Sequence, residues 1–436
     1  MTSLFMLALQ IKGFNISSAR SRLKIIQSLS LDGFRDWQKK QKWKIAKYHY
    51  LNTDFYRKKI GRNFPDKWED LPILNKKDYQ LGLENVLSNE YKNKNIYIAN
   101  TSGSSGHPFY FAKNKSAHAL DWALIEHRYN WHGINLNSKQ ARFYGMPLEK
   151  VSYYKEKLKD KIMNRMRFPI FDLSDKNLKH IIDTITKSNI EIVYGYTNSL
   201  VLVANYLLKN ELQLKEKCVS LKYCISTAEL LTDEKREIVT KGFGVPVINE
   251  YGSSETGLIA FENANKELLL SEETLYYEII GNFNIKSHDS SGNIILTDLD
   301  NKAMPFIRYN IGDIGSIRGK NKLNGKYKIL DNLLGRENDM ILLPSGKKSP
   351  GLTFYYISRS ILESSGSLKE FIIRQTSKNT FIFDIVSDND LSNKEIEKIK
   401  DKMDTYLEPG LKIIINRVEL INRPKSGKIK HFFSEV

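Results

Sequence analysis

The chain has 436 residues, of which 41% are hydrophobic and 27% charged, the proportions of an ordinary globular protein with room for two or three domains. Its 67 Lys+Arg against 50 Asp+Glu leave a net charge of +17, which suits nucleic acid, an anionic membrane face or a polyphosphate ligand. No apolar run approaches the roughly 20 residues that span a bilayer, the N-terminal LFMLALQI lacks a basic leader and cleavage site, and two cysteines make neither a disulfide framework nor a CxxC zinc site, so the chain reads as intracellular and cytoplasmic with no transmembrane segment.

The first hundred residues read as mostly helical, with Pro65, Asp66 and Pro72 marking turns. Trp37 to Arg62 is dense in Lys, Arg and aromatic residues. It is read as an amphipathic helical region with solvated lysines whose Trp and Tyr pack inward, and no nucleic acid is expected as a partner. After the apolar run NIYIA comes NTSGSSGHPFYF, in which Thr101, Ser102, Ser104 and Ser105 surround Gly103 and Gly106. Glycines let backbone amides approach an oxyanion, and the hydroxyls add donors. The stretch is not G-x-x-x-x-G-K-[ST], nor G-x-S-x-G, so on its own it is either a turn or a phosphate cradle.

From Ser174 onward the pattern becomes regular. DKNLKHIIDTITKSN has helical spacing with Ser174 as N-cap, IEIVYG is a strand, NSLVLVANYLLKNEL a helix and LKYCIS a strand. TDEKREIVTKGFG follows as a helix with Thr232 as cap and a terminal glycine, and VPVIN is the next strand. Strand, loop and helix recur at the spacing of βαβ units, so an α/β fold with a parallel sheet is expected, with ligands at the carboxyl ends of the strands. The loops there are GYTNS, STAELL and NEYGSSETG. Towards the C-terminus, EFIIRQ and TFIFDIV read as strands, LSNKEIEKIKDKMDTYL as a helix with a Ser392/Glu395 capping box, and KIIINRVEL as another strand. The expected division is a large domain over 1–334 and a small α+β domain over 335–436, with the hinge between Leu334 and Ile341.

Four more stretches carry chemistry. In Asn249 to Gly257, Tyr251 offers a flat face for a base, and Glu255 a carboxylate for a divalent cation. In RYNIGD, Asp313 follows a glycine turn and is able to accept both hydroxyls of a ribose. In GRENDMI, Arg336 reaches phosphate or ribose. In NRPKSGKIKHF, Lys428 follows Ser426 and Gly427. Each has a bland alternative as a turn, a solvated acid or a basic tail. His127 and His132, five apart, are read as structural or solvated.

Together, in this order, these stretches resemble the adenylate-forming superfamily of acyl-CoA synthetases and adenylation domains. Within it the chain is similar to the phenylacetate–CoA ligase family, particularly the branch associated with capsular polysaccharide biosynthesis, as FYRKK, WEDLPILNKKDY and YGYTNSL also suggest. The resemblance implies the adenylate-forming fold, a large N-terminal domain with parallel sheets and a small mobile C-terminal domain. It implies activation of a carboxylic acid by ATP and Mg²⁺, with coenzyme A, a carrier protein or a sugar amine as acceptor. Thr101, Ser102, Gly103, Ser104, Ser105 and Gly106 would embrace the ATP phosphates, and Thr227, Ala228 and Glu229 would lie beside an adenine stacked on Tyr251 next to Gly252. Thr256 or the neighbouring hydroxyls would touch the α-phosphate and Glu255 would hold Mg²⁺, Asp313 and Arg336 would hold the ribose, and Lys428 would bridge the α-phosphate and the substrate carboxylate. The acid would sit around Tyr144 and Tyr194 to Ser199.

Two departures bear on this. Many relatives have a lysine after the phosphate loop, whereas here GHPFYF is followed by Lys113 and Lys115; and Asn338 stands where relatives often place the acid about which the chain pivots. Lys430 is an alternative to Lys428. Two rival readings are a nucleotidyl transferase resembling coenzyme F390 synthetase, which moves AMP onto a hydroxyl, and a non-catalytic basic binding protein.

Overall fold

The computed structural model describes residues 3–101, 109–144, 150–168, 175–281, 291–319, 325–336, 340–346, 348–350, 354, 368–387, 389–421 and 432–436. The chain forms two compact units. One comprises Met1–Glu278, Ile295–Ile311 and Arg318–Asp331, and the other Ile279–Ile294, Gly312–Ile317 and Asn332–Val436.

The first unit is built on parallel strands. Their order is Arg165–Phe168, Gln140–Phe143, Ile192–Tyr196, Tyr223–Thr227 and Val247–Ser253, and all neighbours run parallel. The antiparallel strands Gly257–Glu262 and Leu268–Leu270 extend it. The three strands and three helices expected from the repeating pattern are present, the helices being Asp175–Thr186, Thr197–Lys209 and Asp233–Phe243. The first two strands of the row were not anticipated.

Both faces of this sheet are covered, and the strand period of two divides the side chains between them. Ala141, Phe143, Val193, Cys224 and Val247 enter one apolar core with those three helices. Ile192, Tyr194, Ile225 and Ile248 enter the other, with Leu4–Ile11, Ile16–Ser28 and Lys115–Asn130. On Asp175–Thr186 the buried residues are Leu178, Ile181, Ile182 and Ile185, one apolar stripe at helical spacing.

The helix ends follow from local chemistry. Thr232 Oγ1 accepts from the amide of Lys235 at 3.3 Å, and the helix closes at Gly244 with φ 71°. Ser174 lies outside the described residues. Gly242 marks a close helix crossing, since a Cβ there would lie 2.8 Å from Ala204 Cα.

The N-terminal region is helical, as expected. Most of Trp37 to Arg62 falls in the helices Leu31–Asn52 and Asp54–Ile60. Tyr56 is buried, and Trp43 packs edge-on against Phe64 and Trp68. Lys42 Nζ lies 4.4 Å from the centre of the Trp68 ring and 4.1 Å from that of Tyr276. Part of the basic excess is therefore structural.

Buried polar groups tie distant segments together. Arg128 is wholly buried, pairs with Glu273 at 2.6 Å and sits 4.3 Å over the Trp131 ring. Removing one member of such a pair would strand the other's charge, at a cost of about 3–5 kcal/mol. His132 Nε2 donates to the carbonyl of Glu262 at 2.8 Å, and His127 Nδ1 accepts from Gln27 and Arg128, so both act structurally.

The second unit contains a four-stranded sheet in the order Lys412–Arg417, Thr380–Ser387, Leu368–Ser377, Phe432–Ser434. Asn393–Tyr406 is its helix, started by the expected Ser392/Glu395 capping box. Its core gathers Ile341, Phe354, Ile373, Phe381, Phe383, Ile399 and Met403. Gln375, fully buried, donates to the Leu342 carbonyl at 2.7 Å and accepts from Ser434 Oγ at 3.1 Å.

His49 yields a pH prediction. It is fully buried, its Nε2 donates to the Asn301 carbonyl and its Nδ1 accepts from Thr53, both at 2.8 Å. Burial pushes its pKa down to about 4 from an ordinary 6.5, so the unfolded chain takes up this proton first. Its stabilisation is complete above pH 6.5 and is lost as the pH falls towards 4. The stability difference between the parent and His49→Gln should shrink over that window by up to about 1.4 kcal/mol per pH unit. Urea denaturation at stepped pH would read it, and a pH-independent difference would contradict a neutral buried His49.

Candidate active site

Because helices cover both faces of the parallel strands, their carboxyl ends are where loops converge. Register aligns Tyr196 with Thr227 and Thr227 with Glu250, so three loops start in a row. Thr227 ends its strand buried, and Ala228 follows with φ 66°, a left-handed conformation that costs a side-chain-bearing residue about 1–2 kcal/mol. Glu229 is held at the start of the neighbouring helix, where its Oε2 accepts from the amide of Asn198 at 2.7 Å and its carbonyl accepts from Thr197 Oγ1 at 2.9 Å. Ser226 Oγ and Thr197 Oγ1 lie 2.7 Å apart, completing a short hydroxyl chain. Lys235 donates to Asn198 Oδ1 at 2.8 Å, and burial lowers its pKa. The STAELL loop is thus a stiff platform, with the carboxylate of Glu229 serving as a helix cap.

The Asn249–Gly257 stretch is a hairpin. Tyr251 pairs with Ala260 and Gly252 with Leu258, with a register irregularity between Tyr251 and Gly252. At its tip Ser253 Oγ accepts from the Thr256 amide at 3.0 Å and lies 2.8 Å from Thr256 Oγ1. Gly257 has φ 85°, and a Cβ there would meet the Asp121 carboxylate at 3.1 Å. This turn drives Glu255 inward, to 6% exposure, where its Oε1 accepts from Tyr309 Oη at 3.0 Å. Tyr309 is itself fixed among rings, 5.7 Å from Tyr79 and 5.2 Å from Phe306. Tyr309 lies within RYNIGD, where the motif by itself gives it no role. Arg308 beside it has φ 45°, donates to the carbonyls of Glu69 and Leu71 at 2.6 Å each, and pairs with Glu278 at 3.1 Å. Nothing local in the sequence announces these partners.

Next to this row lies a second polar group. Tyr194 Oη donates to Glu250, the Tyr144 and Tyr194 rings stack 5.6 Å apart, and Tyr144 lies 4.5 Å from Tyr196. The Arg142 guanidinium covers the Tyr194 ring at 4.1 Å. Burial pushes the Glu250 carboxyl upward, and burial, reinforced by Arg142, brings Arg165 down to about 9. The residues singled out as the acid's surroundings, Tyr144 and Tyr194, are therefore neighbours.

The remaining expected residues fall as follows. Thr101 ends the strand Tyr97–Thr101 opposite Phe109; Ser102, Gly103, Ser104, Ser105 and Gly106 lie outside the described residues. Lys113, almost wholly buried, pairs with Asp121 at 2.6 Å and Asp298 at 3.5 Å, and Lys115 Nζ donates to the Lys12 carbonyl at 2.7 Å. Both lysines that follow the hydroxyl-rich loop are engaged elsewhere. In the second unit Asp313 is buried just after Gly312, whose φ is 80°, and Arg336 ends the strand Ile329–Arg336. Asn338, Lys428 and Lys430 lie outside the described residues.

Glu255 suits a divalent cation in one specific way. Among the described residues no three His, Cys, Asp or Glu side chains cluster as a metal cage. Mg²⁺ is commonly held by one or two carboxylates with phosphate oxygens and water, and a single buried, hydrogen-bonded carboxylate fits that pattern.

Comparison with known proteins places the fold. Residues 348–435 match the family described as the CapK C-terminal domain. Protein CapK of Staphylococcus aureus is 26% identical over 378 residues, covering 81% of this chain and 79% of that protein. Among solved structures, 2-hydroxyisobutyryl-CoA ligase in the postadenylation state, in complex with R3-HIB-AMP, superposes with a TM-score of 0.69 at 15% identity, covering 94% of this chain and 91% of that one. The amide bond synthetase McbA from Marinactinospora thermotolerans has a TM-score of 0.52 at 13% identity, covering 76% of this chain and 66% of that one. The fold is the mixed α/β fold of the adenylate-forming CoA ligases, with a separate small C-terminal sheet domain.

Substitutions at two positions probe the geometry. Tyr309→Phe removes the phenol donor of Glu255 and should cost about 1–3 kcal/mol in chemical denaturation. Ala228→Val should destabilise by about 1–2 kcal/mol, because a β-branched side chain tolerates left-handed backbone poorly, whereas Ala228→Gly should be neutral or mildly stabilising. Equal effects of Val and Gly would show that the backbone there is not strained.

Proposed function

We propose that this protein is an ATP-dependent carboxylate-activating ligase. The observation that carries the reading is the row of strand ends that sets Thr227 and Ala228 beside the hairpin that carries Tyr251 and whose turn buries Glu255. The fold shared with CoA ligases supports it.

In this reading a carboxylate oxygen of the acid attacks the α-phosphorus of ATP, the bond to pyrophosphate breaks, and an acyl-adenylate forms. A nucleophile then attacks the acyl carbon and AMP leaves. Two anions have to meet in line, so the barrier is largely electrostatic and positional. Adenine stacks on Tyr251 next to Gly252, against the platform of Thr227, Ala228 and Glu229. The hydroxyl-rich stretch from Thr101 to Gly106 embraces the phosphates, Thr256 faces the α-phosphate, and Asp313 and Arg336 hold the ribose. Lys428 neutralises charge between the acid and the α-phosphate. Glu255, oriented by Tyr309, would hold Mg²⁺, which when bound offsets phosphate charge. The aromatic group around Tyr144, Tyr194 and Tyr196 bounds the acid.

Residues 335–436 are proposed as the mobile domain that carries Lys428 to and from the reaction. Coenzyme A, a carrier protein or a sugar amine takes the acyl group. That the fold also occurs in an amide bond synthetase supports keeping nitrogen acceptors in view. A role in surface polysaccharide synthesis is supported by the CapK likeness.

The test is carboxylate-dependent exchange of labelled pyrophosphate into ATP across a broad acid panel. At least one acid should support exchange, and Glu255→Ala and Lys428→Ala should each lower it about 100-fold or more. Parental exchange in both variants would remove the assigned roles. AMP transfer to a hydroxyl with no acid-dependent exchange would replace the reading with a nucleotidyl transferase.

A further inference from the structure

A cavity of about 620 Å³ in the first unit shares no residue with the strand-end site. Its size is that of a small-molecule site. Four cations line it, Arg22, Lys44, Lys47 and Lys302, against one carboxylate, Asp300. Arg22 forms a salt bridge with Asp300, whose charge Lys44 also feels, and among the described residues no carboxylate lies at salt-bridge distance from Lys44, Lys47 or Lys302. Like charges gathered round one cavity repel, and a bound anion relieves that repulsion.

Three further features point to the kind of anion. Ser116 lines the cavity from the first turn of the 16-residue helix Lys115–Asn130, which has no acidic residue in that turn, so the positive end of a helix faces the same space. Trp37, Tyr48 and Tyr91 supply flat apolar surface, and Lys302 Nζ sits 5.0 Å over the Tyr48 ring. Asp300, the one carboxylate of the lining, is 9% exposed and paired with Arg22, so it offsets little of the positive charge that an anion would meet.

We propose that this cavity is a second ligand site, for a phosphorylated sugar. The phosphate meets Lys44, Lys47, Lys302 and the helix end, and the apolar face of the ring lies on the aromatic side chains. The free sugar phosphate and a nucleoside diphosphate sugar share this chemistry, and titration separates them. The proposal stands apart from carboxylate activation, because it concerns binding by residues that have no role in that reaction.

Isothermal titration of the full chain with glucose 1-phosphate, UDP-glucose, inorganic phosphate and glucose tests it. One of the first two should bind, with inorganic phosphate at least ~10-fold weaker and glucose not binding. The double variant Lys44→Glu/Lys47→Glu should weaken the better ligand ~10-fold or more while leaving the affinity for ATP unchanged. The proposal is overturned if neither sugar compound binds, if phosphate alone binds as well, or if the lysine variant retains parental affinity. It is also overturned if that variant loses ATP in parallel, which would make the cavity part of the nucleotide site. Thermal melting of each variant establishes that it is folded.

Discussion

The constraint on which the first unit depends is double-sided burial of its parallel strands. Residues alternate between two apolar cores, Val193 and Cys224 into one and Ile192 and Ile225 into the other, so neither sheet face is open to a ligand. What the strands leave available is their ends, where the backbone must turn and where hydroxyls, amides and acids replace the β-branched interior. The strain of Ala228 and the tight turn ahead of Gly257 sit there, and the regular core on either side is what keeps them in place.

Inside that frame the local order comes from reused capping chemistry. Glu229 caps a helix, Thr197 and Ser226 link adjacent loops, and Ser253 closes the hairpin over Thr256. None of these groups has to be organised afresh when a ligand arrives. Tyr309 does the same for Glu255 from a distant part of the chain, holding one carboxylate oxygen in place. A site arranged in this way has its dipoles set in advance, which is the property that electrostatic catalysis requires.

How much of this could be read from sequence depended on the distance over which each feature is encoded. The βαβ rhythm, the Thr232 cap, the closing Gly244 and the Ser392/Glu395 box are written within a few residues, and they appeared where expected. The strands Gln140–Phe143 and Arg165–Phe168 did not announce themselves. Each is four residues long and carries arginine where a buried strand normally carries an aliphatic side chain. Those arginines are accommodated by partners on other elements, Tyr194 for Arg142, and Glu156 and Asp160 of the preceding helix for Arg167. The same holds for the candidate site: Glu255 and the STAELL loop stood out as motifs, whereas Tyr309 and the ion pair of Lys113 follow only from the fold.

The net charge of +17 was ambiguous as a bulk number, and the fold divides it into kinds. Arg128, Arg308 and Lys113 are buried against carboxylates, and Lys42 lies against aromatic rings, so these cations stabilise structure and offer little to a partner. The exposed lysines of the long N-terminal helix differ, because Lys44 and Lys47 lie three apart on one helical face and frame a cavity together with Lys302 from a remote loop. A cation that packs inside the fold needs no ligand. Cations brought together around an open space, with a helix end and aromatic surface, stay available to an anion. The location of the unmatched charge, more than its amount, is therefore what favours a compact anionic ligand over a long polyanion.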